Sequence, residues 1–118
     1  ANSEGLTMPQ LPFFKVGDFG QTIRRTIVDE KNDPVDISAA DTLEFHFKDP
    51  SGNVDTKNDT SNGVTFTDTG ADGQVEYVVE SGLFDEDGTW TLQVQITDAG
   101  VYVIYTDQEE FTVSPVLA

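Results

Sequence analysis

The residues best placed to do chemistry stand together in LFDEDGTWTLQVQIT, residues 83–97. Asp85, Glu86 and Asp87 precede Gly88 and Trp90, so three carboxylates gather at one turn. Such a group could hold a hard cation, work as a general acid–base pair, or only solvate the corner of a β-fold. Calcium takes about six to eight oxygen ligands, often from Asp/Asn/Gly loops. Two further stretches carry those residue types, DTGADG at 68–73 and DEKND at 29–33. None has calcium-loop spacing, in which alternating acids and a glycine are followed at a set distance by a bidentate Glu. Asp85, Asp87 and Gly88 come too early, and no Glu follows at the required place. The same side chains serve turns for local reasons. The expectation is no cofactor, with a structural calcium as the one alternative.

Other catalytic groupings do not assemble. The single histidine, His46, alternates outward between Phe45 and Phe47, beside Glu44 and Lys48. A triad needs a histidine near a nucleophile and an orienting acid, and no G-x-S-x-G elbow is present. The glycines stand singly at turns, so there is no phosphate-cradling loop. Glycosidic chemistry needs two carboxylates converging in a cleft with unequal environments; here the acids are scattered over turns and outward strand positions. With no cysteine, thiol chemistry, disulfides and thiolate zinc sites are excluded. The chain is not expected to be an enzyme.

The elements that position these residues are strands. TLEFHFK sets Leu43, Phe45 and Phe47 against Glu44, His46 and Lys48, and WTLQVQIT sets Trp90, Leu92, Val94 and Ile96 against Thr91, Gln93, Gln95 and Thr97. VTFTD and GQVEYVVE alternate in the same way. A period of two with one wet face marks half-buried antiparallel strands. Turn chemistry in DEKNDP, DPSGN, TSNG, TGADGQ, FDEDG and DAG separates them. About seven or eight short strands at near-regular spacing predict an all-β antiparallel sandwich. The only helical signal is a single turn near Ser81 to Asp85.

The sandwich is expected over residues 13–114. It is preceded by an extended arm at 1–12 with apolar anchors Leu6, Met8 and Leu11, and followed by a tail at 115–118. Two strands break the pattern. In QTIRRTIV the inward register Ile23, Arg25, Ile27 puts an arginine on the apolar face, which requires a bulge, a snorkelling side chain or an acidic partner. In VYVIY, residues 101–105, both faces are apolar, so one needs cover from the arm, a loop or another subunit. The candidate interface residues are Leu6, Met8, Leu11, Tyr102 and Ile104.

Charge narrows the partners. Twenty-two acids against six bases give −16 over 118 residues, a balance that repels phosphate backbones and anionic lipid. Neither nucleic acid nor a membrane is expected as a partner. No stretch approaches the ~18 apolar residues of a spanning helix, and residues 1–12 have neither the basic nor the apolar region of a signal peptide.

Immunoglobulin-like sandwiches often place an aromatic at the corner entering a strand. Glu86, Gly88 and Trp90 have that pattern, with Trp where Tyr is usual, and they are assigned as a structural corner. A wider likeness follows. The segment FKVGDFGQTIRRTIVDEKNDPVDISAADTLEFHFKDPSGN, then TGADGQVEYVV, DEDGTWTLQVQIT and EEFTV, resembles the immunoglobulin-like domains of the baseplate upper protein family of tailed phages and related tail or head proteins. The matching positions include Gly17, Asp18 and Gly20; Pro34, Val35, Asp36, Ile37 and Ser38; Phe47, Lys48, Pro50 and Gly52; Asp72, Gly73, Val75 and Tyr77; and Gly88, Thr89 and Trp90. Ile37 stands where Leu is commoner, while VYVIY and the excess of acid depart further.

The resemblance implies an immunoglobulin-like virion component, made in the host cytoplasm. It would be a tail or baseplate part or a capsid decoration protein, binding other virion proteins and forming a homo-oligomer in the particle. It carries over no catalytic residue. The competing expectation is a surface adhesin or carbohydrate-binding module, for which Phe19 and Tyr102 are the candidate aromatic platform.

Overall fold

The computed structural model describes residues 14–116, so the expected arm with Leu6, Met8 and Leu11 lies outside the described residues, as do the last two residues of the tail. Within them the chain forms nine strands: β1 Phe14–Lys15, β2 Thr22–Thr26, β3 Thr42–Lys48, β4 Val54–Asn58, β5 Thr65–Phe66, β6 Gln74–Val78, β7 Gly88–Asp98, β8 Tyr102–Tyr105 and β9 Glu109–Ser114. This exceeds the seven or eight expected: β1 has two residues, too few to show a period, whereas β5 falls within VTFTD, whose alternation the sequence shows. The stretch Ser81 to Asp85 holds a hydrogen-bonded turn, Leu83 N–H to the Glu80 carbonyl at 3.2 Å, and no helix.

The strands form an antiparallel β-sandwich. The larger sheet runs β1-β9-β7-β3-β4, with β8 also on β7, and the smaller runs β2-β6-β5. Among the described residues, only β1 and β9 pair in parallel. The alternation read from the sequence decides the facing: Leu43, Phe45 and Phe47 of β3 and Trp90, Leu92, Val94 and Ile96 of β7 are buried. Phe45 and Phe47 meet Tyr77 of the opposite sheet at ring distances of 5.8 and 5.7 Å. Beside them Phe84 packs on Phe14, Trp90 and Phe111 at 4.6, 5.3 and 5.7 Å, so one aromatic residue from a turn pins three strands. Each such buried side chain contributes roughly 1.5–3 kcal/mol through removal from water.

Two polar ties join the sheets at their margins. Arg25 keeps the inward register of β2 without a bulge, opposite Val75. Its guanidinium donates to both carboxylate oxygens of Glu109 on β9, at 2.8 and 2.9 Å. Of the three outcomes open to Arg25, the acidic partner is the one adopted. The two-pronged geometry suits a planar guanidinium and carboxylate. Glu80, just beyond β6, accepts from the Tyr77 hydroxyl (2.8 Å) and the Asn62 amide (3.1 Å), with Lys57 of β4 at 3.5 Å. Burial pushes the Glu80 carboxyl up, but these donors together hold it below its ordinary value. Burial, and then the hydrogen bond to Glu80, raise the Tyr77 hydroxyl.

The acids of the turns do local work. The carboxylates of Asp18, Asp29, Asp36, Asp41, Asp49, Asp59 and Asp72 each accept a backbone N–H at 2.8 to 3.2 Å. Asp18, Asp29, Asp36, Asp49 and Asp72 bond an amide within four residues, as in Asx-turns, whereas Asp41 and Asp59 reach Ala99 and Leu43 on distant segments. Gly73 is needed where backbones cross: its φ is +78°, and a Cβ there would lie 2.7 Å from the Ile27 carbonyl oxygen.

Candidate binding surface

The acidic corner is occupied by its own fold. The Trp90 indole N–H donates to the Glu86 carbonyl at 2.9 Å, closing the turn as the tyrosine does in immunoglobulin corners. The Glu86 carboxylate accepts from the Ser51 hydroxyl at 2.9 Å. Gly88 has φ +132°, and a Cβ on it would lie 2.8 Å from Pro50 Cγ. Asp85 and Asp87 are exposed. Glu86, Gly88 and Trp90 thus brace the turn between the 50–51 loop and β7.

His46 lies on the outer face of the larger sheet. Its Nε2 is 3.0 Å from Gln95 Oε1 and 3.4 Å from Glu44, and its Nδ1 is 2.9 Å from the Thr56 hydroxyl. Gln95 Oε1 and the Glu44 carboxylate only accept, so Nε2 is placed to donate to them, and Nδ1 pairs with the Thr56 hydroxyl. Both ring nitrogens are thus engaged. His46, Lys48, Thr91, Gln93, Gln95 and Tyr105 contribute to a shallow trough of about 230 Å³ across this face.

The surface least explained by the fold's own needs is β8. It pairs with β7 so that Ile104 stands opposite Ile96 and Tyr102 opposite Asp98, while Val103 and Tyr105 stand opposite Thr97 and Gln95. Directly opposed residues share a face. Ile104 and Tyr102 therefore turn inward and are half-buried against the core. The residues presented to solvent are Val101, Val103 and Tyr105, exposed by 73%, 52% and 59%. Both faces of this strand are apolar as the sequence shows, but the candidate interface moves from Tyr102 and Ile104 to Val103 and Tyr105. Burial, and then the charges of Asp98, Asp36 and Asp41, raise the Tyr102 hydroxyl, which is buried without a hydrogen-bond partner among the described residues. With Tyr102 turned inward and Phe19 exposed in the turn after β1, the two form no aromatic platform.

Beside β8 opens a cleft of about 370 Å³, between Ile104–Asp107 and the 26–32 segment. Val28, Ile104 and Tyr105 give it an apolar floor, and Asp29, Glu30 and Asp107 supply its acid. Asp29 and Glu30 stand in DEKND, which the sequence singles out, but their meeting with Asp107 was hidden because the cleft joins segments more than 70 residues apart. Val103 and Tyr105 did carry a signal, as the alternate register of VYVIY. No model of a known protein family and no curated protein matches the chain.

Proposed function

We propose that the chain is a non-enzymatic structural protein of a tailed-phage virion, a tail or baseplate component or a capsid decoration protein that binds neighbouring subunits. The observation that carries this reading is the bare apolar strand β8, with Val101, Val103 and Tyr105 exposed beside an open cleft. Exposed apolar patches on a chain this acidic point to a protein contact. The virion setting is supported by the ordered resemblance of turns and strands to immunoglobulin-like phage domains. A binding role is further supported by the turn aspartates Asp36, Asp49 and Asp72, whose carboxylates are spent on backbone amides.

Antibodies raised against the purified chain test the reading on phage particles from the culture that carries the gene. Labelling at discrete tail, baseplate or capsid positions is the expected result, and intact particles that never label would overturn it. A second reading, a carbohydrate-binding module, is favoured by the trough, where exposed Tyr105 adjoins Gln93, Gln95 and His46. Glycan-array binding abolished by Tyr105→Ala would select it.

A further inference from the structure

We propose that the free edge of β8 takes an extended segment of another protein, apolar in its middle and carrying Lys or Arg at both ends. The inference deepens the virion reading and rests on it for the partner's being a neighbouring subunit. Among the described residues β8 hydrogen-bonds only to β7, so half of its backbone N–H and C=O groups face away from the sheet. An edge of this kind is a template for strand addition, in which main-chain bonds supply affinity and alternate side chains supply specificity. Natural edges are commonly protected by an inward charge, a lysine or a proline. Residues 101–105 contain none of these.

The ends of the strand choose the partner. At the Tyr102 end, Asp98 stands opposite Tyr102, and Asp41 accepts the Ala99 N–H at 3.0 Å, so two carboxylates flank the hairpin. At the Tyr105 end, Asp29, Glu30 and Asp107 line the cleft, and Lys31 of the same segment does not. The strand is thus apolar between two acidic ends, and cationic ends on the incoming segment complement it. Its basic side chain at the cleft can lie over Tyr105, where an aromatic face attracts a cation.

A second copy is a poor occupant. Antiparallel pairing of two β8 strands would set the Asp98 end of one on the Asp107 end of the other, and each chain carries −16. Like charges brought together at an interface disfavour association.

The probe is a synthetic peptide, Lys-Arg-Val-Thr-Val-Thr-Val-Lys-Arg, titrated into the full-length isotope-labelled chain and followed by amide shifts. The expected result is a response confined to residues 28–30 and 101–107. The same peptide with Glu at both ends, and the basic peptide in about 0.5 M salt, should each bind at least roughly tenfold more weakly. Val103→Lys, at an exposed position, should lose the peptide and keep its melting temperature, while Asp29→Asn with Asp107→Asn should flatten the salt dependence.

Equal binding of the Glu-ended peptide, or a response elsewhere on the chain, would overturn the proposal. So would a doubled solution mass that Val103→Lys returns to the monomer, because a second copy would then hold the edge. Edge amides of 102–105 already protected from exchange in the free full-length chain would overturn it too. Peptide failure with labelled particles removes only the basic-strand assignment; unlabelled particles with a bound peptide remove only the virion reading.

Discussion

One flank of β7 carries two strands in succession, and the two halves of that flank are finished differently. Along Gly88 to Leu92 it holds β9, which is covered by β1, buries Phe111 and Val113, and is tied to the other sheet by Glu109 and Arg25. Along Gln95 to Asp98 it holds β8, with no further strand among the described residues and with Val103 and Tyr105 in solvent. Thr106 makes the break between them: its N–H reaches the Val94 carbonyl and its hydroxyl accepts the Val94 N–H, both at 2.9 Å. The same strand therefore supports a closed half and an open half, in which Tyr102 and Ile104 pack on the core while Val103 and Tyr105 meet solvent.

Substitutions in the two halves should part accordingly. Phe84→Ala should have the largest effect, about 3–5 kcal/mol, because four aromatic neighbours lose their common contact; a urea midpoint checks it, and a smaller change would mean that the closed half repacks. Arg25→Ala should follow at about 2 kcal/mol, leaving the Glu109 carboxylate without its two donors. Gly88→Ala should cost about 1–3 kcal/mol, from strain at a φ of +132° and the approach to Pro50. Val103→Lys, in the open half, should change stability by no more than about 0.5 kcal/mol. A loss comparable with that of Arg25→Ala would show that β8 belongs to the folding core.

Acid supplies a further separation. Asp36 is held low by the side-chain and backbone hydrogen bonds of Ser38, and Glu80 is held low by its donors despite burial. A carboxyl with a lowered folded value stabilises fully above its unfolded pKa, near ~4, and loses that contribution as pH falls through the folded value. Unfolding followed from neutral to strongly acidic pH should show stability falling below about pH 4, and Glu80→Gln should blunt that fall.

The long strands were legible because seven to eleven residues of strict alternation leave one reading, as in β3 and β7. The two-residue β1 was not: it joins Phe14 to Val113 across the whole chain, and two residues cannot carry a period. Arg25 was visible as an apolar-register charge, but its partner was hidden, because adjacent Glu109 and Glu110 look alike until pairing with Leu92 turns Glu109 inward. At β8 the sequence showed two apolar faces. Only the pairing of Ile104 with Ile96 decided which of them met water.

The aspartates at the turns bear on how this chain can vary. Each acts through a side-chain oxygen that accepts an amide hydrogen, and an asparagine carries such an oxygen without the charge. Net charge and fold are therefore independently adjustable: replacing these aspartates one at a time would lower the overall acidity step by step while each turn kept its acceptor. A lineage moving to a less saline setting, or to a less basic neighbour, could follow that path without redesigning a single strand.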